Sequence, residues 1–160
     1  MSTSFQIDGK QWTRLSYIQK ELNDVIRYQL RSDQKFNILV FSSGVWPWAP
    51  GLQPVNQSNI DLAVRFVSGL TANGGTNAFS ALATAFQDPL VAGIYFLSDG
   101  EPDSGQTPKI LQYIKNVWEV GKNRAIPVHT TALAATPEAQ IFMKQVSQLT
   151  GGIYRSIQSS

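Results

Sequence analysis

Apolar residues recur along this chain in two patterns, one typical of helices and one of buried strands. Between residues 10 and 30 they fall every three or four positions, which predicts a helix with one buried face. Residues 35–41 (KFNILVF) are β-branched and apolar, which predicts a buried strand. The segment 45–55 holds three prolines, so we expect an edge strand or an extended loop there.

The rest of the chain alternates helices with short strands. Ser58 is expected to cap a helix that reaches Leu70, and the turn-rich segment 71–77 follows. The remaining predicted elements are a helix at 77–86, a strand at 92–97, a helix from Thr107, a strand at 126–133, a helix from Thr136 that ends at Gly151, and a strand at 153–157. This order predicts an α/β fold, a three-layer sandwich in which a mainly parallel sheet is flanked by helices.

Composition limits the class of protein. With 160 residues, 42% of them hydrophobic, we expect one globular domain that spans residues 1–160. The formal charge of +2 and the lack of a Lys or Arg run argue against a nucleic-acid partner. The sequence has no cysteine, no signal peptide and no apolar run long enough to span a membrane, so we expect an intracellular, cytoplasmic location.

Oxygen-bearing side chains stand near the ends of the predicted strands. Asp99 follows the strand in IYFLSDGEPD, Thr76 lies in GGTN before a helix, and Ser2 and Ser4 precede the first predicted helix. In parallel α/β sheets, ligands bind beyond the carboxyl ends of the strands. Hydroxyl and carboxylate oxygens suit magnesium, manganese or calcium and do not suit zinc or copper.

This arrangement resembles the von Willebrand factor A domain over nearly the whole chain. The pairing of GGTNAFSAL with IYFLSDGEPD looks most like the intracellular members of that family. The resemblance implies a metal-ion-dependent adhesion site whose ligands, matched motif by motif, are Ser2, Ser4, Thr76 and Asp99. It also implies that Mg²⁺, or Mn²⁺ or Ca²⁺, bridges to an acidic side chain of a partner protein, in an interaction module that is not an enzyme.

One part of the family pattern is missing from the sequence. The aspartate that opens the family's Asp-x-Ser-x-Ser motif would precede Met1, and so would the family's first strand, which lies between the strands at 35–41 and 92–97. We expect either a fragment that begins at an internal methionine or another segment that fills the gap. Without the aspartate, metal affinity should fall sharply, and two open inner edges would favour self-association or a borrowed strand.

Each candidate ligand also has a structural explanation. Asp99 could cap its own turn, Thr76 could cap a helix, and Ser2 and Ser4 could belong to a polar chain terminus. These explanations leave open a scaffold that binds its partners without a metal.

Two other groups of residues suggest further alternatives. Asp99, Glu101 and Asp103 could serve a metal-assisted hydrolase as paired carboxylates, although a solvated acidic loop explains them more simply. His129 is expected in the middle of a strand, where a structural role explains it more simply than a catalytic one. A hydrolase would therefore have no evident general base. Trp46 and Trp48 either bind a partner or cover the core from an edge strand, and Glu101 is a further candidate for partner contact.

Overall fold

A computed structural model of the chain describes residues 4–72, 74–120 and 125–158, with the side chains of 118–120 excepted. The strands are β1 (Ser4–Ile7), β2 (Lys10–Thr13), β3 (Lys35–Phe36), β4 (Leu39–Phe41), β5 (Val45–Pro47), β6 (Gln53–Pro54), β7 (Ile94–Ser98), β8 (Val128–Leu133) and β9 (Tyr154–Ile157). The helices are α1 (Arg14–Asp24), which continues into a π-helical turn (Val25–Gln29), α2 (Gln57–Ser68), α3 (Ala78–Gln87), α4 (Gln106–Val120) and α5 (Pro137–Thr150).

A β-hairpin precedes the first helix, so the prediction of a helix from residue 10 is wrong at its start. The antiparallel strands β1 and β2 are joined by Asp8 (φ 50°) and Gly9 (φ 76°). Positive φ at both positions is what a two-residue Asp-Gly hairpin turn requires. Thr13 then caps α1, and buried Phe5 provides an apolar contact ahead of the helix that was not expected from the sequence.

Strands β7, β8 and β9 form a parallel sheet in that order, and α4 and α5 are the crossover helices between them. The helices pack against each other, and α5 packs against β8. Both ends of α5 follow the sequence: Thr136 is the N-cap, and Gly151, at φ 69°, is the left-handed C-cap. The largest buried side chains of this half include Leu82, Ile110, Ile114, Phe142 and Met143. The predicted α/β fold is confirmed.

The other half of the domain contains α2 and short antiparallel pairs, β3 with β6 and β4 with β5. The single strand predicted at 35–41 is interrupted at Asn37. The Asn37 side-chain oxygen accepts hydrogen bonds from the backbone amides of Ile38 (2.8 Å) and Ala49 (3.1 Å). The side-chain NH₂ of Asn37 donates to the carbonyl of Ala49 (2.8 Å). Because this side chain makes the contacts that a neighbouring strand would otherwise make, the ladder divides there.

A gap lies between β4 of the α2 half and β7 of the parallel sheet. Within the described residues, β4 pairs with β5 alone and β7 with β8 alone, so each keeps one edge without a strand partner. The gap lies between the segments 35–41 and 92–97, where a gap was expected from the sequence. Across it the rings of Phe41 and Phe96 stack, with centroids 5.5 Å apart and planes at 10°. Side-chain packing therefore joins the halves where backbone pairing does not.

The face of the parallel sheet opposite α4 and α5 is only partly covered. On it Tyr95 is 53% exposed, and Ile153, at the start of the last strand segment, is 64% exposed. His129 lies near the start of β8 beside Tyr95, and its Nδ1 accepts a hydrogen bond from the amide of Ile153 (3.1 Å), as expected of a structural histidine. In the part of the chain that the structure describes, no helix combines the length and apolarity needed to cross a bilayer.

Candidate metal and partner site

Two loops cross beside the end of β4, and a glycine makes the crossing possible. Gly75 has φ 90°, and a Cβ on it would lie 2.9 Å from the backbone nitrogen of Ser43. The backbone amide of Asn77 donates to the carbonyl of Ser42 (2.7 Å), and its side chain donates to the carbonyl of Ser43 (3.2 Å). Asn77 also caps α3. The position of Thr76, between Gly75 and Asn77, is therefore fixed by its neighbours on both sides.

The loop before α3 also meets the loop after β7. The backbone amide of Thr76 donates to the Oδ1 of Asp103 (2.8 Å), and the amide of Asp103 donates to the carbonyl of Thr76 (3.0 Å). A Cβ placed on Gly100 would lie 3.9 Å from the Thr76 hydroxyl oxygen, so this hydroxyl faces the residue next to Asp99. The structure thus brings together the loops of two predicted ligands, Thr76 and Asp99.

A positive charge lies beside the Asp99 carboxylate. Nη1 of Arg14 is 3.6 Å from its Oδ2, and Nη2 of Arg14 donates to the carbonyl of Ala134 (2.9 Å). The side chains of Arg14 and Asp99 are 27% and 15% exposed, so the pair is partly shielded from water. Arg14 could not be predicted from the sequence, because no local pattern marks a residue whose partners are distant in the chain.

Glu101 lies on the same loop and reaches the start of α5. The hydroxyl of Thr136 donates to its Oε1 (3.2 Å), and the same hydroxyl accepts from the amide of Ala139 as the helix cap. Asp99, Glu101 and Asp103 therefore contact different partners. Within the described ranges, no three carboxylate or histidine side chains converge as a metal-binding group. A cation at this edge would thus depend on hydroxyl oxygens as well as on Asp99.

The two serines of the predicted ligand set are not shown at this edge. Ser2 lies outside the described residues. Ser4 is exposed at the start of β1, where its hydroxyl oxygen accepts a hydrogen bond from the side-chain amide of Gln11 (3.1 Å). Among the described hydrogen bonds, none joins Ser4 to Thr76 or Asp99. Metal ligation by the serines therefore stays a prediction.

The two tryptophans lie on and next to the edge strand β5. Trp48 is half-buried and stacks on Phe36, with ring centroids 5.1 Å apart and planes at 18°, while its amide donates to the carbonyl of Ile38 (2.8 Å). Trp48 therefore covers the core of the α2 half. Trp46 remains 49% exposed and is available for contact with a partner.

The oxygen donors of Thr76 and Asp99 are compatible with a hard divalent cation. A threonine hydroxyl and an aspartate carboxylate are oxygen ligands of the kind that magnesium binds, and water completes its octahedral shell where protein ligands are few. The arrangement also has a feature that the sequence did not predict, since Arg14 forms an ion pair with the Asp99 carboxylate.

Sequence comparison places this fold in a known family. Residues 7–156 match the family model of the von Willebrand factor type A domain. The chain belongs to this family. The human von Willebrand factor A domain-containing protein 3B is 32% identical over 141 residues, which are 88% of this chain and 10% of that protein. Human protein 3A is 29% identical over 148 residues, 91% of this chain and 12% of that protein. This type A domain thus spans about a tenth of the length of these relatives.

Solved structures show the same architecture. A von Willebrand factor type A structure from Catenulispora acidiphila superposes with a TM-score of 0.76 at 16% identity, covering 90% of this chain and 34% of that chain. This likeness confirms the predicted fold, and the family match confirms the resemblance. Type A domains generally act as non-enzymatic modules that mediate protein–protein interaction.

Proposed function

We propose that this type A domain binds a partner protein at the edge formed by the loops 74–77 and 99–103. A Mg²⁺ ion, or Mn²⁺ or Ca²⁺, would be held there by Thr76 and Asp99 and would bridge to an acidic side chain of the partner. The supporting observation is the approach of the Thr76 hydroxyl to the Asp99 loop, maintained by the paired hydrogen bonds to Asp103. Ser2 and Ser4 would add hydroxyl ligands.

The charge balance of this site favours an anionic partner group. One carboxylate and several neutral hydroxyls leave a divalent cation with residual positive charge, and a carboxylate from outside would neutralise it. Glu101 is exposed on the same loop, so its negative charge would influence which residues are accepted around the bound acid. The proposed function requires binding alone and no proton transfer.

Calorimetric titration of Mn²⁺ into the chain and into two aspartate variants tests the cation. Asp99→Asn removes the proposed charged ligand, whereas Asp61→Asn makes the same charge change at an exposed position of α2. We expect Asp99→Asn to weaken binding at least about tenfold, because even indirect partners of metal ligands change affinity by that factor. Asp61→Asn should bind as the parent chain does. Equal binding by all three proteins would exclude the role of Asp99.

A peptide titration tests the bridge to the partner. In the presence of Mn²⁺, a short peptide with one glutamate should bind, whereas its glutamine counterpart should not. Chelation should abolish the difference between the two peptides. Binding that persists with the chelator would instead support a scaffold that needs no metal. That second candidate is favoured by one observation, the ion pair between Arg14 and Asp99, because a guanidinium can itself balance the charge of the carboxylate.

A further inference from the structure

We propose that Arg14 is a built-in counter-cation that competes with a divalent metal ion for Asp99, so that metal binding requires release of the guanidinium. This inference rests on the proposed function, because it concerns the same carboxylate. It adds a residue that sets the affinity of the site and that lies outside the predicted ligand set.

The geometry supports direct competition. Nη1 of Arg14 lies 3.6 Å from Oδ2 of Asp99. A Mg²⁺ ion bound to this carboxylate at about 2.0–2.1 Å would therefore lie within a few ångströms of the guanidinium charge. A positive charge and a metal ion on one carboxylate repel each other, and partial burial reduces the screening of that repulsion by salt. Arg14 is moreover held in position by its hydrogen bond to the carbonyl of Ala134, so it cannot swing away without losing a second contact.

Ala134 links this competition to the neighbouring loop. It has φ 42°, in the left-handed region that alanine rarely adopts. Its amide donates to the carbonyl of Ile157 (2.7 Å), and its carbonyl accepts from Arg14, so two hydrogen bonds hold this conformation. Release of Arg14 would remove one of them. The loop leads directly to Thr136, whose hydroxyl donates to Oε1 of Glu101 (3.2 Å).

Mn²⁺ affinity of two arginine variants tests the competition. Arg14→Gln removes the competing charge. Arg155→Gln is the matched control, because Arg155 forms an ion pair of similar length, 3.5 Å, with Glu21 on the partly covered face of the sheet. We expect Arg14→Gln to bind Mn²⁺ about fivefold more tightly. This factor corresponds to an interaction free energy of about 1 kcal/mol, the upper end measured for exposed ion pairs. Arg155→Gln should show no comparable gain. An unchanged affinity in Arg14→Gln, or an equal gain in both variants, would overturn the proposal.

A double-mutant cycle without metal tests the ion pair itself. Thermal unfolding is measured with chelator for the parent chain, Arg14→Gln, Asp99→Asn and the double variant. Asp99→Asn should lower the melting temperature less in the Arg14→Gln background than in the parent chain, because its partner is already gone. Additive shifts would show that the two residues do not interact and would overturn the proposal.

The two experiments separate this inference from the proposed function. If the parent chain binds Mn²⁺ through Asp99 but Arg14→Gln binds it no better, the competition is refuted and the cation site stands. If no variant binds Mn²⁺, both proposals fail, and the metal-free cycle then shows whether Arg14 serves Asp99 as a permanent partner.

Discussion

Thr76 and Asp103 exchange two hydrogen bonds across the ends of two loops, one to the carboxylate of Asp103 and one between backbone groups. This joint fixes the loop before α3 against the loop after β7. Because these hydrogen bonds hold the loop in which the Thr76 hydroxyl faces the neighbour of Asp99, Asp103 acts as a positioning residue. The sequence offered two other roles for it, a solvated acid and a member of a catalytic pair.

Removal of the Asp103 carboxylate should loosen the joint. Asp103→Ala leaves the Thr76 amide without its charged acceptor, and we expect the free energy of unfolding to fall by about 1–2 kcal/mol. Chemical denaturation in urea measures the change. Asp61→Ala, at an exposed site on α2, is the control and should stay within about 0.5 kcal/mol of the parent. Equal stability of the two variants would show that the joint contributes nothing.

Alanine substitution at two glycines separates backbone strain from a steric clash. Gly105 has φ 77° with open space around its Cα, so Gly105→Ala should cost about 1 kcal/mol from the left-handed conformation alone. Gly75 has φ 90°, and an added Cβ would lie 2.9 Å from the Ser43 nitrogen. Gly75→Ala should therefore cost at least about 1 kcal/mol more, because the crossing loops must move apart. Urea denaturation compares them, and equal losses would contradict the close approach.

Stability should decline in alkaline solution because of Tyr17. Burial, and then the negative charge of Glu21, raise the pKa of Tyr17 above its ordinary value of 10.0. Below pH 10 both folded and unfolded chains keep the proton. Above it the unfolded chain loses the proton first, so stability falls as the pH rises from 10 towards the folded pKa.

Melting temperatures between pH 8 and 11 test this dependence. Tyr17→Phe should reduce the alkaline decline without abolishing it, since the hydrogen bond to Asp24 also raises the pKa of Lys20 and gives the same sign. Tyr28→Phe is the control, because Tyr28 is 79% exposed. A decline that is identical in both variants would rule out Tyr17 as its source.

The core of the parallel half should be sensitive to truncation. Leu82 of α3 is 2% exposed, and Leu82→Ala should lower the free energy of unfolding by about 2–5 kcal/mol through lost burial and a cavity. Leu62 of α2 is 50% exposed, and Leu62→Ala should cost well under half as much. Denaturant unfolding of the two variants provides the comparison. Similar losses would mean that the α3 contact is not part of the stable core.

Local signals in the sequence predicted some helix ends and not others: α2 is capped by Asn56 and not by Ser58 as expected, because the Asn56 side chain accepts the hydrogen bond from the Asn59 amide. Thr136 and Gly151 mark the ends of α5 correctly, because a cap hydroxyl and a left-handed glycine act within a few residues. The pair Asp8-Gly9 was an equally local hairpin signal, but the helical spacing that begins at residue 10 obscured it. The place of Asp99 directly after a strand was predictable from the sequence, and its metal role stays a prediction. Arg14 lies beside Asp99 because the fold places the start of α1 there, which no local pattern predicts.

The stacked rings of Phe41 and Phe96 have a consequence for how the domain opens. Since no described backbone ladder crosses between β4 and β7, the strand amides on the two sides belong to separate ladder networks, which are linked through the stacked rings and through the hydrogen bonds of Asn77 to Ser42 and Ser43. Local fluctuations can then expose one network to solvent while the other stays closed. Amide hydrogen exchange in β7–β9 should therefore follow a different opening free energy from that in β3–β6, so the domain behaves as two coupled cooperative units.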